Sequence, residues 1–229
     1  MKAFFISLLL LTGSLNLFAQ QSQVLAAFTK HGIDPEILKP SIKQQPTDIA
    51  FDYKYTTTAS DKQKVTLAHF DPNKSPEERW DVLSVNGKTP SSSEIKKFRK
   101  EKSKVPSKVG EVDENSMRVE KETADQLVVS YKLKVESLPS ESAFLKDCIN
   151  HLTINLKTKR LEKLQCVNEK TVKIKIFNAE KLDLNVLYNY NEQLKRYLPI
   201  SEELNLVVKF LGQLAPIESL AEYSNYVVK

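Results

Sequence analysis

Apolar and polar residues alternate along most of this chain, the period-two pattern of strands with one dry and one wet face. Ile49, Phe51, Tyr53 and Tyr55 alternate with polar neighbours. After a turn over residues 56–62, a second strand follows with Val65, Leu67 and His69 on one side and Ala68 and Phe70 on the other. Trp80–Asn86 is a short third strand ending in an Asn86-Gly87 turn pair. Further runs are expected at Met117–Glu122, Leu127–Val135, Leu152–Leu156, Leu164–Cys166, Val172–Ile176, Leu182–Tyr190, Leu204–Phe210 and Ile217–Val228. The pattern therefore predicts nine or ten strands with short connections. Short connections force antiparallel neighbours, since parallel crossovers need roughly a dozen residues.

Two helices interrupt the strands. Ser22–Lys30 places Val24, Leu25 and Phe28 at helical spacing. Ser92–Lys102 is preceded by Ser91, which with Glu94 makes an S-x-x-E capping box. Its apolar stripe is only Ile95 and Phe98, so it is expected to rest one narrow edge on the sheet. Ser103–Ser116 reads as a polar linker. One sheet of this many twisted strands curls. The fold class expected is mainly β with few helices (α+β): a single curved antiparallel sheet, an unclosed barrel or half-barrel, covered by one or two helices.

The first residues change the compartment. Lys2, the apolar run Ala3–Leu11 and the small Ala19 before Gln20 form the n-, h- and c-regions of a secretory leader. The run is shorter than the roughly 20 residues of a membrane span. No cysteine stands at the cleavage point to carry a lipid. The expectation is a leader at 1–19 and one β-rich half-barrel domain at 20–229, exported to the periplasm and soluble there. Losing Lys2 lowers the net charge from +5 to +4. So mild a balance does not call for nucleic acid but is compatible with an anionic membrane surface.

The two cysteines, Cys148 and Cys166, lie on the arms of one hairpin centred on Thr158–Lys159, both on the dry face. An oxidising compartment and an even count favour a disulfide between them. Counting along the arms leaves them about one pair out of register, which a bulge near Arg160–Leu161 would correct.

Catalytic motifs are missing: there is no G-x-S-x-G, H-E-x-x-H, P-loop or G-x-G-x-x-G. His69 and Asp71 could face one side, but no nucleophile accompanies them. Glu77 and Glu78 are adjacent and diverge. No metal-ligand spacing and no cofactor motif occurs. Seven basic residues fall between Lys96 and Lys108, against the single acid Glu101. They mark a solvated helix face or a contact with anionic headgroups or an acidic partner.

One stretch carries a family resemblance: FDPNKSPEERWDVLSVNGKTPSSSEIKKFRKEK, over residues 70–102. Asp71, Pro72, Glu78, Arg79, Trp80, Leu83, Ser84, Val85, Gly87, Lys88, Pro90, Glu94 and Phe98 match a pattern shared by exported proteins of Gram-negative bacteria. The tail IESLAEYSNYVVK also resembles their last strand. That group resembles the outer-membrane lipoprotein carrier superfamily, whose fold is an unclosed antiparallel barrel with a helical lid over an apolar cavity. The detailed match covers about a quarter of the chain.

The expectation that follows is a non-enzymatic binding protein holding a lipid or acylated ligand against its concave face. Phe51, Tyr53, Leu67, Phe70, Trp80, Leu83 and Phe98 are the expected wall residues. Lys96, Lys97, Arg99 and Lys100 are the expected electrostatic contact. The alternative is an envelope scaffolding protein that docks a partner through the basic helix or an edge strand.

Overall fold

The computed structural model describes residues 23–59, 62–102, 110–210 and 212–227. The expected leader lies outside the described residues. Eleven strands form one antiparallel sheet that is not closed. They are β1 (Ala50–Ala59), β2 (Lys62–Phe70), β3 (Trp80–Val85), β4 (Val112–Glu122), β5 (Gln126–Leu133), β6 (Cys148–Asn155), β7 (Arg160–Asn168), β8 (Val172–Ile174), β9 (Phe177–Asn191), β10 (Arg196–Phe210) and β11 (Gln213–Val227). The order across the sheet is β3-β2-β1-β11-β10-β9-β7-β6-β5-β4, with β8 paired only to β9. The last strand thus inserts beside the first, and β3 and β4 end this order among the described residues. Helix α1 (residues 23–31) and α2 (Ser92–Lys102) lie at opposite flanks, and four short 3-10 segments fill connections.

The alternation predicts the inner face well. Leu127, Val129, Tyr131 and Leu133 of β5 face inward with Cys148, Asn150, Leu152 and Ile154 of β6. The register carries one inner row across eight strands: Thr66, Tyr55, Ala221, Glu202, Val186, Leu164, Leu152 and Val129.

Two ends of this face are covered. At the β4 side, Val24, Ala27 and Phe28 of α1 pack with Ile33 and Ile37 onto Met117, Leu127, Val129 and Leu152. Leu25 is exposed rather than buried, and Ala27 takes its expected place, because the contact stripe follows i, i+3, i+4 from Val24. Glu122 ties the helix end to β4 through Lys30 and His31 at 2.5 and 2.8 Å. At the β3 side, α2 lays Phe98 on Tyr53 of β1 and Trp80 of β3, in a cluster that also holds Phe51, Phe70 and Tyr223.

Several boundaries depart from the alternation. The expected linker at 103–116 contains the start of β4 at Val112; residues 103–109 are outside those described. Strands β9, β10 and β11 each run 15 residues. The expected Leu204–Phe210 is only the second half of β10. Its first half is masked in the sequence by an irregularity between Pro199 and Ser201, where one extra residue flips the parity. Pro216 lies just beyond Ile217, which pairs with Ala59, the last residue of β1.

Candidate functional site

The stretch that carries the resemblance folds as a strand, a tight turn and a capped helix. Asn86 and Gly87 both take positive φ, 51° and 72°. The Asn86 side chain accepts from the Val65 N–H at 2.8 Å, pinning the turn to β2. The Ser91 N–H donates to Glu94 at 2.8 Å, and the Glu94 N–H to the Ser91 hydroxyl at 3.4 Å, completing the capping box. The Ser91 hydroxyl, donating to the Glu94 carboxylate at 2.6 Å, and then the Ser91 N–H hold that carboxyl below the usual carboxylate range.

Five of the seven expected wall residues come together. Phe51, Tyr53, Phe70, Trp80 and Phe98 form one ring cluster, with Phe51–Phe70, Phe70–Trp80 and Trp80–Phe98 centroids at 5.0, 5.1 and 5.5 Å. All five are buried, so they fill their own space and seal one flank of the sheet. Leu67 and Leu83 are not among them: they are 40% and 58% exposed. Leu67 stands opposite Lys54 on the wet face, between the inward Thr66 and Ala68. In β3 an irregularity opposite Leu67/Ala68 takes Leu83 out of the pairing with β2.

Among the expected electrostatic residues, Lys96, Lys97 and Lys100 are exposed, but Arg99 is not a surface contact. Its Nε donates to the Trp80 carbonyl at 2.8 Å and its guanidinium lies 3.7 Å from Asp81. Arg99 therefore fastens α2 to β3.

Lys102, at the last turn of α2, points into the site. Its ammonium donates to the Tyr53 hydroxyl at 2.6 Å and lies 4.2, 5.4 and 5.7 Å from the ring centres of Tyr53, Tyr55 and Trp80. Desolvation pulls its pKa down, while Glu202 and Glu101 push it up.

Glu202 is the residue that reading from the sequence missed. It lies in the inner row between Ala221 of β11 and Val186 of β9, both buried. Its surface is exposed, yet its carboxyl pKa is raised first of all by desolvation. Register places its side chain in the inner row, where the carboxyl stays open to water. The Lys102 ammonium and the Tyr223 hydroxyl counter that burial. Among the described residues no ion pair within 4.0 Å joins Lys102 to Glu202. Burial raises the phenols of Tyr53, Tyr188 and Tyr223 far above their usual range, so all three are neutral hydroxyls.

Beyond Glu202 the inner face continues with Leu204, Leu206, Leu184 and Ile217, all half-buried. On the other side, a cleft of about 240 Å³ separates α2 from β1 and β2, lined by Tyr55, Thr57, Thr66, Lys97, Phe98 and Glu101. Tyr55 of this cleft is two strands from Glu202 in the same row.

The cysteines are free thiols in this structure, a correction to the expected bridge. Cys148 stands opposite Asn168 and Cys166 opposite Asn150, so the two are diagonal neighbours. The irregularity falls at Thr153/Ile154, between the cysteines and the turn, and leaves the offset in place. Diagonal neighbours lie roughly 7–8 Å apart, beyond the usual Cα separation of a disulfide, about 4.4–6.8 Å. The thiols still interact: Cys166 lowers the pKa of Cys148, and its own is raised.

His69 pairs with Asp52 rather than Asp71, at 2.7 Å, and Asp52 also accepts from Asn225 at 2.7 Å. Register decides this, since His69 stands directly opposite Asp52. Asp71 instead caps its own turn through the Asn73 N–H at 3.0 Å. Glu78 accepts from Ser75 in the same turn. The chain matches no protein-family model and no curated protein.

Proposed function

We propose that this chain is a non-enzymatic binding protein of the periplasm that holds a lipid or acylated ligand against the inner face of its open sheet. The observation that carries the reading is the half-buried apolar floor formed by Leu184, Leu204, Leu206 and Ile217 between two helix-covered flanks. Side chains of this kind, left partly open on a concave face, suit an acyl chain. The resemblance of residues 70–102 to exported proteins that themselves resemble the lipoprotein carrier superfamily supports the same reading. Among the described residues no helix is long and apolar enough to cross a membrane.

The exposed Lys96 and Lys100 of α2, with Lys97 exposed at the cleft between α2 and the sheet, favour contact with an anionic membrane surface during loading. Arg99 is excluded from that role by its inward bonds.

The test is native mass spectrometry of the protein purified from the cell envelope, followed by lipid extraction. A near-stoichiometric acyl species is expected. A clean apo mass, unchanged after incubation with envelope lipids, would overturn the reading and favour a partner-docking role for α2.

A further inference from the structure

Strands β9, β10 and β11 project past their neighbours at one end of the sheet. β11 continues through residues 213–216 beyond Ile217, where its pairing with β1 stops. β9 continues through residues 177–182 past its pairing with β7, with the short β8 beside it. At roughly 3.4 Å per residue, the four residues of β11 reach about 13 Å past β1. Register sets one outward row on this tip: Leu214 of β11, Lys209 of β10, Asn178 of β9 and Lys173 of β8. All four are exposed, whereas Val208, Ala179 and Val172 in the adjacent row are buried.

Two large aliphatic side chains stand open at the tip. Ile176, in the turn between β8 and β9, is 80% exposed and Leu214 is 62% exposed, more than any other large hydrophobic residue described. A two-residue hairpin turn ordinarily carries Asn, Asp or Gly. Here Lys175, at φ 56°, and Ile176 occupy it, so neither residue type is there for the turn. The charge around them has one sign. Residues 172–181 and 207–216 hold Lys173, Lys175, Lys181 and Lys209 against the single acid Glu180. These lysines are exposed and make no ion pair among the described residues. The acids on the segments beside β8 are engaged elsewhere: Glu141, Asp147, Glu169 and Glu180 accept from Ser140, Lys170, Lys132 and Thr171.

Open aliphatic side chains ringed by unpaired ammonium groups suit a lipid interface. The aliphatic groups enter between headgroups while the lysines keep their charge at the phosphate level. Two copies docked tip to tip would oppose like charges. A stable protein interface takes about 800 Å² from each partner, far more than two side chains on a narrow tip offer. We propose that this tip docks the protein on a bilayer carrying anionic phospholipid, with Ile176 and Leu214 entering the interface and Lys173, Lys175 and Lys209 meeting phosphate. The surface is distinct from α2, which packs on Tyr53 of β1 and Trp80 of β3. It does not depend on whether the inner face holds a ligand.

The test uses the full chain expressed with its own leader and vesicles of phosphatidylcholine, alone or mixed with phosphatidylglycerol. Wild type should sediment with the mixed vesicles and far less with phosphatidylcholine alone. Ile176→Ser combined with Leu214→Ser should weaken that binding about tenfold, the scale of two aliphatic side chains kept out of lipid, with circular dichroism unchanged. Ile176→Cys carrying an environment-sensitive fluorophore should shift its emission to the blue on the mixed vesicles. Cys148 and Cys166 are buried, so the label reports the tip. Binding of the double variant at wild-type strength, or an unshifted fluorophore on bound protein, overturns the tip as the docking surface. So does wild type that stays in solution. A dimer in sedimentation velocity that the double variant abolishes would overturn it too, assigning the tip to a second copy. The labelled variant decides the matter even if the double variant does not fold. Lipid holding by the inner face is read from the native mass and is untouched by these outcomes.

Discussion

Arg99 and Trp80 are joined by a hydrogen bond of 2.8 Å from the Arg99 Nε to the Trp80 carbonyl, nineteen residues back along the chain. The bond turns the basic helix into a cover. Its charged inner side is consumed by β3, its Phe98 enters the ring cluster, and Lys102 is delivered to the concave face. What reads as a uniformly cationic helix has two sides with different work.

Phe98→Ala should therefore undock α2. Truncating a buried phenylalanine costs about 3–5 kcal/mol. Thermal unfolding followed by Trp80 fluorescence should show the loss together with a red shift of the native emission, since Trp80 is only 5% exposed and packs edge-on to Phe98. Phe98→Leu should lose much less. An Ala variant as stable as wild type would mean that α2 contributes no closure.

Lys96→Glu combined with Lys97→Glu should leave stability within about 0.5 kcal/mol, as expected for exposed positions. Sedimentation with vesicles containing anionic lipid should drop severalfold at low salt. Wild-type binding should itself fall as ionic strength rises, because exposed charges are screened beyond about 10 Å at 0.1 M. Unchanged sedimentation of the double variant would remove α2 from any membrane contact.

The two thiols should be slow to alkylate in the native protein and fast in denaturant, since Cys148 is fully buried and Cys166 nearly so. Mass spectrometry after iodoacetamide treatment should find two labels on the unfolded, unreduced chain. A single mass shift appearing only after reductant would show a disulfide and would require β6 and β7 to shift register locally.

Glu202 gives a pH dependence with a definite sign. Its folded pKa is raised, so the folded state favours the protonated carboxyl. Stability from this group is present at low pH and is lost as pH rises through the folded pKa. Glu202→Gln should melt higher than wild type at neutral pH, and the difference should close near pH 4, about the ordinary value of a glutamate. Melting curves of both proteins across that range check this. A variant that melts lower at neutral pH would mean that ionised Glu202 stabilises the apo fold.

Gly110 is tightly enclosed: an added Cβ would meet Leu138 at 2.7 Å and Ser137 at 3.2 Å. Gly110→Ala should cost about 1–3 kcal/mol by overpacking, visible as a lower denaturant midpoint. No loss would mean that the segment around Leu138 yields freely.

How much of this was legible follows from which forces act locally. Period-two alternation is set by the pleat, so the inner faces of β5, β6 and β9, the capped α2 and the Asn86-Gly87 turn were all determined by the residues themselves. The open antiparallel sheet followed, because short connections leave no other pairing. The site was not legible in the same way. Glu202 shares the parity of Leu204 and Leu206, but an acid does not read as inward-facing, and the extra residue between Pro199 and Ser201 hides the strand that continues before it. Lys102 looked like one more lysine on a solvated helix until packing of Phe98 and Arg99 set the helix rotation. His69 chose Asp52 over the nearer Asp71 because strand register brings residues far apart in the chain side by side. Local sequence decides which faces are dry. Which charged side chains reach the inner face depends on register, bulges and helix docking, which only the assembled sheet decides.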